Sequence, residues 1–128
     1  MVLSIRTPLA RVRGLGSAKK GVAHFWQQRL TAVALIPLAV WMLWGLIAHA
    51  GADYAEARAW LGQPVTAILL LLLVLAGFHH MRLGLEVVIE DYVHDEGVRL
   101  ALVLLNVLAA YGLGIACAFA ALKLSLGA

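Results

Sequence analysis

The fold is decided by residues 59–81, which read AWLGQPVTAILLLLLVLAGFHHM and contain no Lys, Arg, Asp or Glu. Residues 30–52 and 100–122 are two further charge-free windows, and each of the three windows is 23 residues long. A helix rises about 1.5 Å per residue, so each window spans roughly 35 Å, enough for a tilted crossing of a hydrocarbon core about 30 Å thick. The pattern therefore predicts an all-α membrane protein with three transmembrane helices. The three spans are expected at about 28–50, 64–88 and 99–122.

The composition agrees with this prediction and excludes an ordinary soluble domain. Of the 128 residues, 63% are hydrophobic and only 13% are charged, about half the charged fraction of a soluble domain. A transmembrane barrel would show apolar and polar residues alternating over about ten positions, and the sequence has no such alternation. We expect one three-helix membrane anchor at 28–122, preceded by a basic segment at 1–27 and followed by a short tail at 123–128.

The distribution of basic residues predicts the orientation. Six of the ten Lys and Arg residues precede the first charge-free window at 30–52, and no acidic residue occurs before Asp53. The positive-inside rule therefore places the N-terminus in the cytoplasm and, after three crossings, the C-terminus in the periplasm. The loop at 53–63 becomes external and the segment at 90–99 returns to the cytoplasmic face. We interpret residues 1–27 as a cytoplasmic tail rather than a mitochondrial transit peptide, and we expect a multi-pass protein of the bacterial inner membrane with no nucleic-acid partner.

The second span carries the residues with functional chemistry. Ionisable groups at membrane depth are costly, so His79, His80 and Arg82 need partners or a cofactor. Gly77, His80, Gly84 and Asp91 share one stripe of the helix because they are separated by 3, 4 and 7 positions. Glycines above and below a histidine clear a surface beside it. A neutral imidazole in such a place is suited to be an axial ligand of haem iron.

Structural roles explain the same residues without a cofactor. Small residues at helical spacing also serve helix packing, and a membrane histidine also bonds to a neighbouring helix. Arg82 is expected to pair with Glu86 four residues on. The acidic residues at 90–96 and His94 are expected to be exposed. The aromatic and imidazole side chains at the end of the first span are expected to face lipid or to anchor at the interface; these are Trp41, Trp44 and His49.

Two blocks of sequence resemble a known family. The pattern HxxxGxxxxxxDYV runs from His80 through Gly84 to Asp91, Tyr92 and Val93, and HFWQQRLTAVALIPL occupies residues 24–38. In these blocks and in its topology the chain resembles the small hydrophobic membrane anchor of succinate dehydrogenase, respiratory complex II. The resemblance covers essentially residues 14–122.

The resemblance implies specific site residues. In that family the anchor pairs with a second three-helix anchor, cytochrome b556, and the two hold one haem b between them. His80 matches the axial ligand of the haem iron, although a shift of one residue would assign this role to His79; the helical stripe favours His80. Arg29 matches an arginine near the haem propionates. Tyr92 matches the tyrosine that donates a hydrogen bond to ubiquinone, and Asp91 supports it.

The resemblance also implies an activity shared among several subunits. It implies FAD in a flavoprotein subunit and iron-sulfur clusters in an iron-sulfur subunit. This chain itself has neither a dinucleotide-binding glycine motif nor a cysteine set for a cluster. The chain is not expected to be active alone. The expected function is electron transfer from succinate to ubiquinone in the tricarboxylic acid cycle and respiratory chain. The alternatives are the anchor of a quinol:fumarate reductase, or a cofactor-free scaffold or proton-conducting protein that uses Glu86, Glu90 and Asp91.

Overall fold

The computed structural model describes residues 7–14 and 21–127 and is helical throughout its regular elements. The order of elements is α1 (Pro8–Arg13), α2 (Gly21–Ala48), α3 (Tyr54–Leu61), α4 (Pro64–Tyr92) and α5 (Glu96–Leu126). By length and hydropathy, α2, α4 and α5 are able to cross a membrane. The prediction of an all-helical protein with three such spans is confirmed. Arg6, Lys19 and Lys20, which contribute to the predicted orientation, lie outside the described residues.

The long helices extend beyond the predicted crossings because polar residues at their ends remain helical. Helix α2 begins at Gly21, inside the segment assigned to the tail, and α4 continues to Tyr92. Helix α5 runs from Glu96 to Leu126. The Asp95 side chain caps α5 by accepting a hydrogen bond from the Val98 N–H at 2.8 Å, which satisfies one of the first free N–H groups of the helix.

The segment at 53–63, interpreted from the sequence as a loop, contains the short helix α3. Its first turn is capped by the Asp53 carboxylate, which accepts a hydrogen bond from the Glu56 N–H at 2.8 Å. After α3 the chain turns at Gly62, where a Cβ would lie 3.2 Å from the Leu124 carbonyl oxygen of α5. Pro64 then starts α4, where its missing N–H is not needed. Glycine therefore allows the turn to approach the end of α5 closely.

Helix α4 is the central helix, and it packs against both α2 and α5. Residues 93–95 connect α4 to α5 in a short turn, so these two helices are antiparallel. The buried residues of α5 form a stripe of small or polar side chains: Asn106, Ala110, Gly114 and Ala121. Many large apolar side chains on all three long helices are exposed, as expected for helices that face lipid or other subunits.

Candidate functional site

The contact between His80 and Thr31 joins α4 to α2. Thr31 Oγ1 and His80 Nδ1 are 3.0 Å apart. Thr31 Oγ1 is also 2.7 Å from the Gln27 carbonyl oxygen, to which its single hydroxyl proton is donated. With that proton on the Gln27 carbonyl oxygen, the threonine oxygen is an acceptor for His80 Nδ1–H. The imidazole tautomer that makes this bond carries a free lone pair on Nε2.

His80 lies in an open groove between α2 and α4, called here the α2–α4 groove. The groove has a volume of about 360 Å³. Its lining residues are Gly21, His24, Phe25, Gln28, Arg29, Ala32, His80 and Val87. The structure thus brings Arg29 and His80, which are distant in sequence, to one groove. The Arg29 guanidinium carbon lies 5.3 Å from the centre of the Phe25 ring, a cation–π contact.

The glycine stripe of α4 faces α2. A Cβ at Gly77 would lie 3.9 Å from Leu35 Cδ2, and one at Gly84 would lie 3.5 Å from Gln28 Nε2. The predicted clear surface beside His80 is therefore partly covered by α2 side chains, which agrees with a role of the glycines in helix packing. Gln28 Oε1 is buried and has no hydrogen-bond partner in the described part of the chain. Gln28 and His80 line the same groove, so this groove contains a buried acceptor without a partner among the described residues.

His79, although adjacent to His80, lies on a different side of α4. It lines a cavity of about 250 Å³ against α5, called here the α4–α5 cavity. The lining residues are Leu75, Phe78, His79, Arg82, Ala110 and Tyr111. The predicted Arg82–Glu86 pair is confirmed, with Nη1 and Oε2 at 3.2 Å. The two histidines therefore serve different interfaces.

Sequence reasoning did not identify Asn106 or Thr31 as structural partners of the second span. The Asn106 side-chain amide donates a hydrogen bond to the Arg82 carbonyl oxygen at 2.9 Å, and Asn106 is buried. An amide in the otherwise apolar window 100–122 was a signal for a polar contact between helices. Thr31 is likewise a polar residue in the first charge-free window. Its partner, His80, belongs to another helix, so the spacing of residues within α2 could not predict the contact.

Tyr92 and Asp91 occupy the last turn of α4. Both are exposed, and Tyr92 is 78% exposed. Twelve residues of helix separate Tyr92 from His80, which is about 18 Å. The structure therefore places the tyrosine and the histidine at separate levels of the same helix. The acidic residues around the turn and His94 are exposed, as the sequence predicts.

An aromatic cluster lies at the opposite end of the molecule. The rings of His49 and Trp60 stack with centres 4.4 Å apart, and Trp41 lies 6.4 Å from Trp60. A Cβ at Gly45 would overlap the Trp60 ring. Trp44 is exposed, as expected for a side chain that faces lipid. Trp41 and His49 were expected to face lipid or the interface as well, but they pack against Trp60. This contact was not predictable from the spacing of residues in the first span, because Trp60 belongs to a different helix, α3.

Comparisons with known proteins agree with the arrangement of spans. The sequence profile of the succinate dehydrogenase/fumarate reductase transmembrane subunit family matches residues 4–114. A succinate dehydrogenase hydrophobic membrane anchor subunit from Rickettsia bellii is 33% identical over 104 residues, which cover 81% of this chain and 83% of that protein. One from Paracoccus denitrificans is 30% identical over 122 residues, covering 95% of this chain and 94% of the relative.

A relative from Reclinomonas americana shows a comparable similarity. The succinate dehydrogenase membrane anchor subunit of Reclinomonas americana is 30% identical over 90 residues, covering 68% of this chain and 75% of that protein. No solved structure matches the chain. The chain is a multi-pass helical membrane protein, and membership of this family implies a complex with other subunits. It belongs to the succinate dehydrogenase/fumarate reductase transmembrane subunit family, as a hydrophobic membrane anchor subunit.

Proposed function

We propose that this chain anchors a succinate:ubiquinone oxidoreductase and supplies one axial ligand, His80, to a haem b shared with a second anchor subunit. The observation that carries the proposal is the 3.0 Å hydrogen-bond contact between His80 Nδ1 and Thr31 Oγ1. Histidines that bind a metal commonly donate the other ring N–H to an acceptor, which orients the ring and sets the tautomer. Here the bond leaves Nε2 available as the ligand atom.

The residues of the α2–α4 groove fit one edge of a haem. Arg29 supplies a cation suited to a propionate carboxylate, and it lies in the same groove as the imidazole. The groove is open rather than enclosed, as expected for a group that is completed by a partner subunit. A bound haem would supply one-electron chemistry, and this chain's residues would orient it and balance its carboxylates.

The quinone part of the proposal concerns the end of α4. The Tyr92 phenol is able to donate a hydrogen bond to a ubiquinone carbonyl, where negative charge develops on reduction. The neighbouring Asp91 carboxylate supports its orientation. The exposure of Tyr92 in the isolated chain leaves this end free to contact an iron-sulfur subunit. In this proposal a flavoprotein subunit holds FAD and oxidises succinate.

The proposal includes the orientation and the membrane. The N-terminus lies in the cytoplasm and the C-terminus in the periplasm of a bacterial inner membrane, on the distribution of Lys and Arg. The end of α4 with Tyr92 is then on the cytoplasmic side. The relatives named succinate dehydrogenase favour succinate oxidation over fumarate reduction. Comparing succinate-driven quinone reduction with quinol-driven fumarate reduction tests the direction.

The adjacent histidines provide a matched test of haem binding. The complex is purified through a tag on this chain, and its dithionite-reduced minus oxidised spectrum is recorded for His80→Ala and His79→Ala. We expect His80→Ala to lose or strongly perturb the b-type spectrum and His79→Ala to retain it, because, of these two adjacent histidines, only His80 lines the α2–α4 groove. Loss of the spectrum with His79→Ala alone would contradict the assignment, and a colourless wild-type complex would remove the haem proposal.

The quinone role is tested separately from haem binding. Tyr92→Phe removes only the phenolic hydroxyl, so we expect succinate:ubiquinone turnover to fall while the haem spectrum is retained. Tyr54→Phe is the matched control, because Tyr54 has the same 78% exposure and lies in α3 at the other end of the molecule. An unchanged ubiquinone rate in Tyr92→Phe would exclude Tyr92 from the site.

A further inference from the structure

The α4–α5 cavity lies at membrane depth on a different side of α4 from His80. Tyr111, one of its lining residues, is midway along α5, roughly 22 Å from either end of that helix. Arg82, another lining residue, is ten residues before Tyr92, about 15 Å along α4. The cavity is therefore separate from both the α2–α4 groove and the Tyr92 end.

Close contacts on either side of the cavity hold α4 and α5 at a defined separation. Near the Arg82 end, Asn106 donates its hydrogen bond to the Arg82 carbonyl oxygen at 2.9 Å. Towards the other end, a Cβ at Gly114 would lie 3.4 Å from Phe78 Cβ. Ala110, between these contacts, is buried but short. The cavity of about 250 Å³ remains because a small side chain lies between two fixed points of helix packing.

The polar groups of the cavity favour an uncharged ligand with a hydrogen-bond acceptor. Arg82 Nε is buried and has no partner in the described part of the chain, although Nη1 of the same guanidinium pairs with Glu86. An unpaired buried donor is costly, so an acceptor bound there would be stabilised. The ion pair with Glu86 balances the charge, so the ligand need not be anionic. Tyr111 adds a phenol in the middle of a span, away from the interfacial position that membrane tyrosines favour.

We infer that the α4–α5 cavity binds the ring of a quinone, with a ring carbonyl accepting hydrogen bonds from Arg82 and Tyr111. The apolar walls, Leu75 and Phe78, suit the ring and the first part of an isoprenoid tail. A phospholipid ester also offers a carbonyl, but it resides near the interface, whereas the cavity is close to the middle of the span. The choice of a quinone rests on the proposed function, whereas the cavity itself is separate from His80 and Tyr92.

The test uses the intact complex in lipid nanodiscs and an azido-ubiquinone as the probe. After photolysis, peptides of this chain are mapped by mass spectrometry. We expect adducts on Tyr111 or within residues 75–82, in addition to any at the Tyr92 end. A diazirine-labelled phosphatidylcholine is used in parallel. Labelling of the cavity by the phospholipid alone, or labelling by the quinone only outside the cavity, would overturn the inference.

Two leucines of equal exposure, Leu75 and Leu113, provide a matched pair of variants. Both are 56% exposed, but only Leu75 lines the cavity. We expect Leu75→Trp to fill the cavity and to reduce its labelling about tenfold, the effect of losing roughly 1.4 kcal/mol of binding free energy. Leu113→Trp should leave the labelling unchanged. Equal labelling in the two variants would contradict quinone binding in the cavity.

A more conservative variant keeps the test valid if Leu75→Trp disturbs assembly. Tyr111→Phe preserves the ring and removes one donor, so the concentration of unlabelled ubiquinone that halves cavity labelling should rise by up to about tenfold. Haem absorbance and labelling at the Tyr92 end serve as references for an intact complex. An unchanged competition curve would show that Tyr111 donates no hydrogen bond to the quinone, contrary to the proposal.

Discussion

On one side of α4, His80 meets α2 through a single hydrogen bond; on the other side, α5 presents a buried stripe of Asn106, Ala110 and Gly114. The α4–α5 interface is held by the Asn106 amide and by the close approach of Gly114, with the α4–α5 cavity between these two contacts. The α2–α4 interface leaves an open groove and a buried Gln28 oxygen without a partner among the described residues. The contacts with α5 therefore hold the helices together around a cavity, whereas the contacts with α2 leave an open groove beside His80.

The largest loss of stability should come from disrupting the contact between α4 and α5 with Gly114→Leu. A Cβ at Gly114 would lie 3.4 Å from Phe78 Cβ, so the larger leucine side chain would force α4 and α5 apart. Overpacking of this kind costs about 1–3 kcal/mol. The midpoint of thermal unfolding of the purified complex should fall. Gly112→Leu is the control because a Cβ there meets nothing within 4 Å, and equal losses in both variants would contradict the proposed packing.

The α2–α4 groove is tested by Thr31→Val. This change keeps the shape of the side chain and removes the hydroxyl that contacts His80 Nδ1. Loss of such a partner typically lowers metal affinity about tenfold or more. We expect the haem content per complex to fall during detergent washing while assembly is retained. Thr31→Ser keeps the hydroxyl and should restore haem retention. Full retention in Thr31→Val would show that this hydrogen bond does not orient the ligand.

A smaller effect is expected from Asn106→Leu, which removes the hydrogen bond to the Arg82 carbonyl. Side-chain hydrogen bonds between membrane helices contribute about 0.6 kcal/mol on average. The unfolding midpoint should therefore fall less than in Gly114→Leu, and the haem spectrum should not change. Leu105→Val, at an exposed neighbouring position, serves as the control. A loss of haem in Asn106→Leu would mean that the two sides of α4 are coupled.

The smallest effect is expected from Gly77→Ala on the α2 side. The added methyl would lie 3.9 Å from Leu35 Cδ2, an ordinary contact distance. Alanine also favours the helix over glycine by roughly 1 kcal/mol. Thermal stability should therefore change by no more than about that amount. A large destabilisation would indicate that α2 and α4 pack more tightly than the open groove implies.

Much of the fold could be predicted because each span carries its signal locally. The charge-free windows indicated three helices, and the spacing of Arg82 and Glu86 indicated their ion pair, since both partners lie on one helix. Helix α3 was missed because eight residues give a weak periodic signal. The contacts of His80 with Thr31 and of His49 with Trp60 were missed because each joins different helices, and spacing within one helix does not specify its neighbours.

Local sequence was enough to predict three apolar helices, the stripe that carries His80 and the resemblance to a family of membrane anchors. Hydropathy and helical periodicity depend only on residues close in the chain. The packing of the helices, in contrast, determines that His79 and His80 face different interfaces, that Arg29 shares a groove with His80 and that Tyr111 and Arg82 line one cavity. These arrangements depend on which small residues allow two helices to approach and which side chains then fill the space between them.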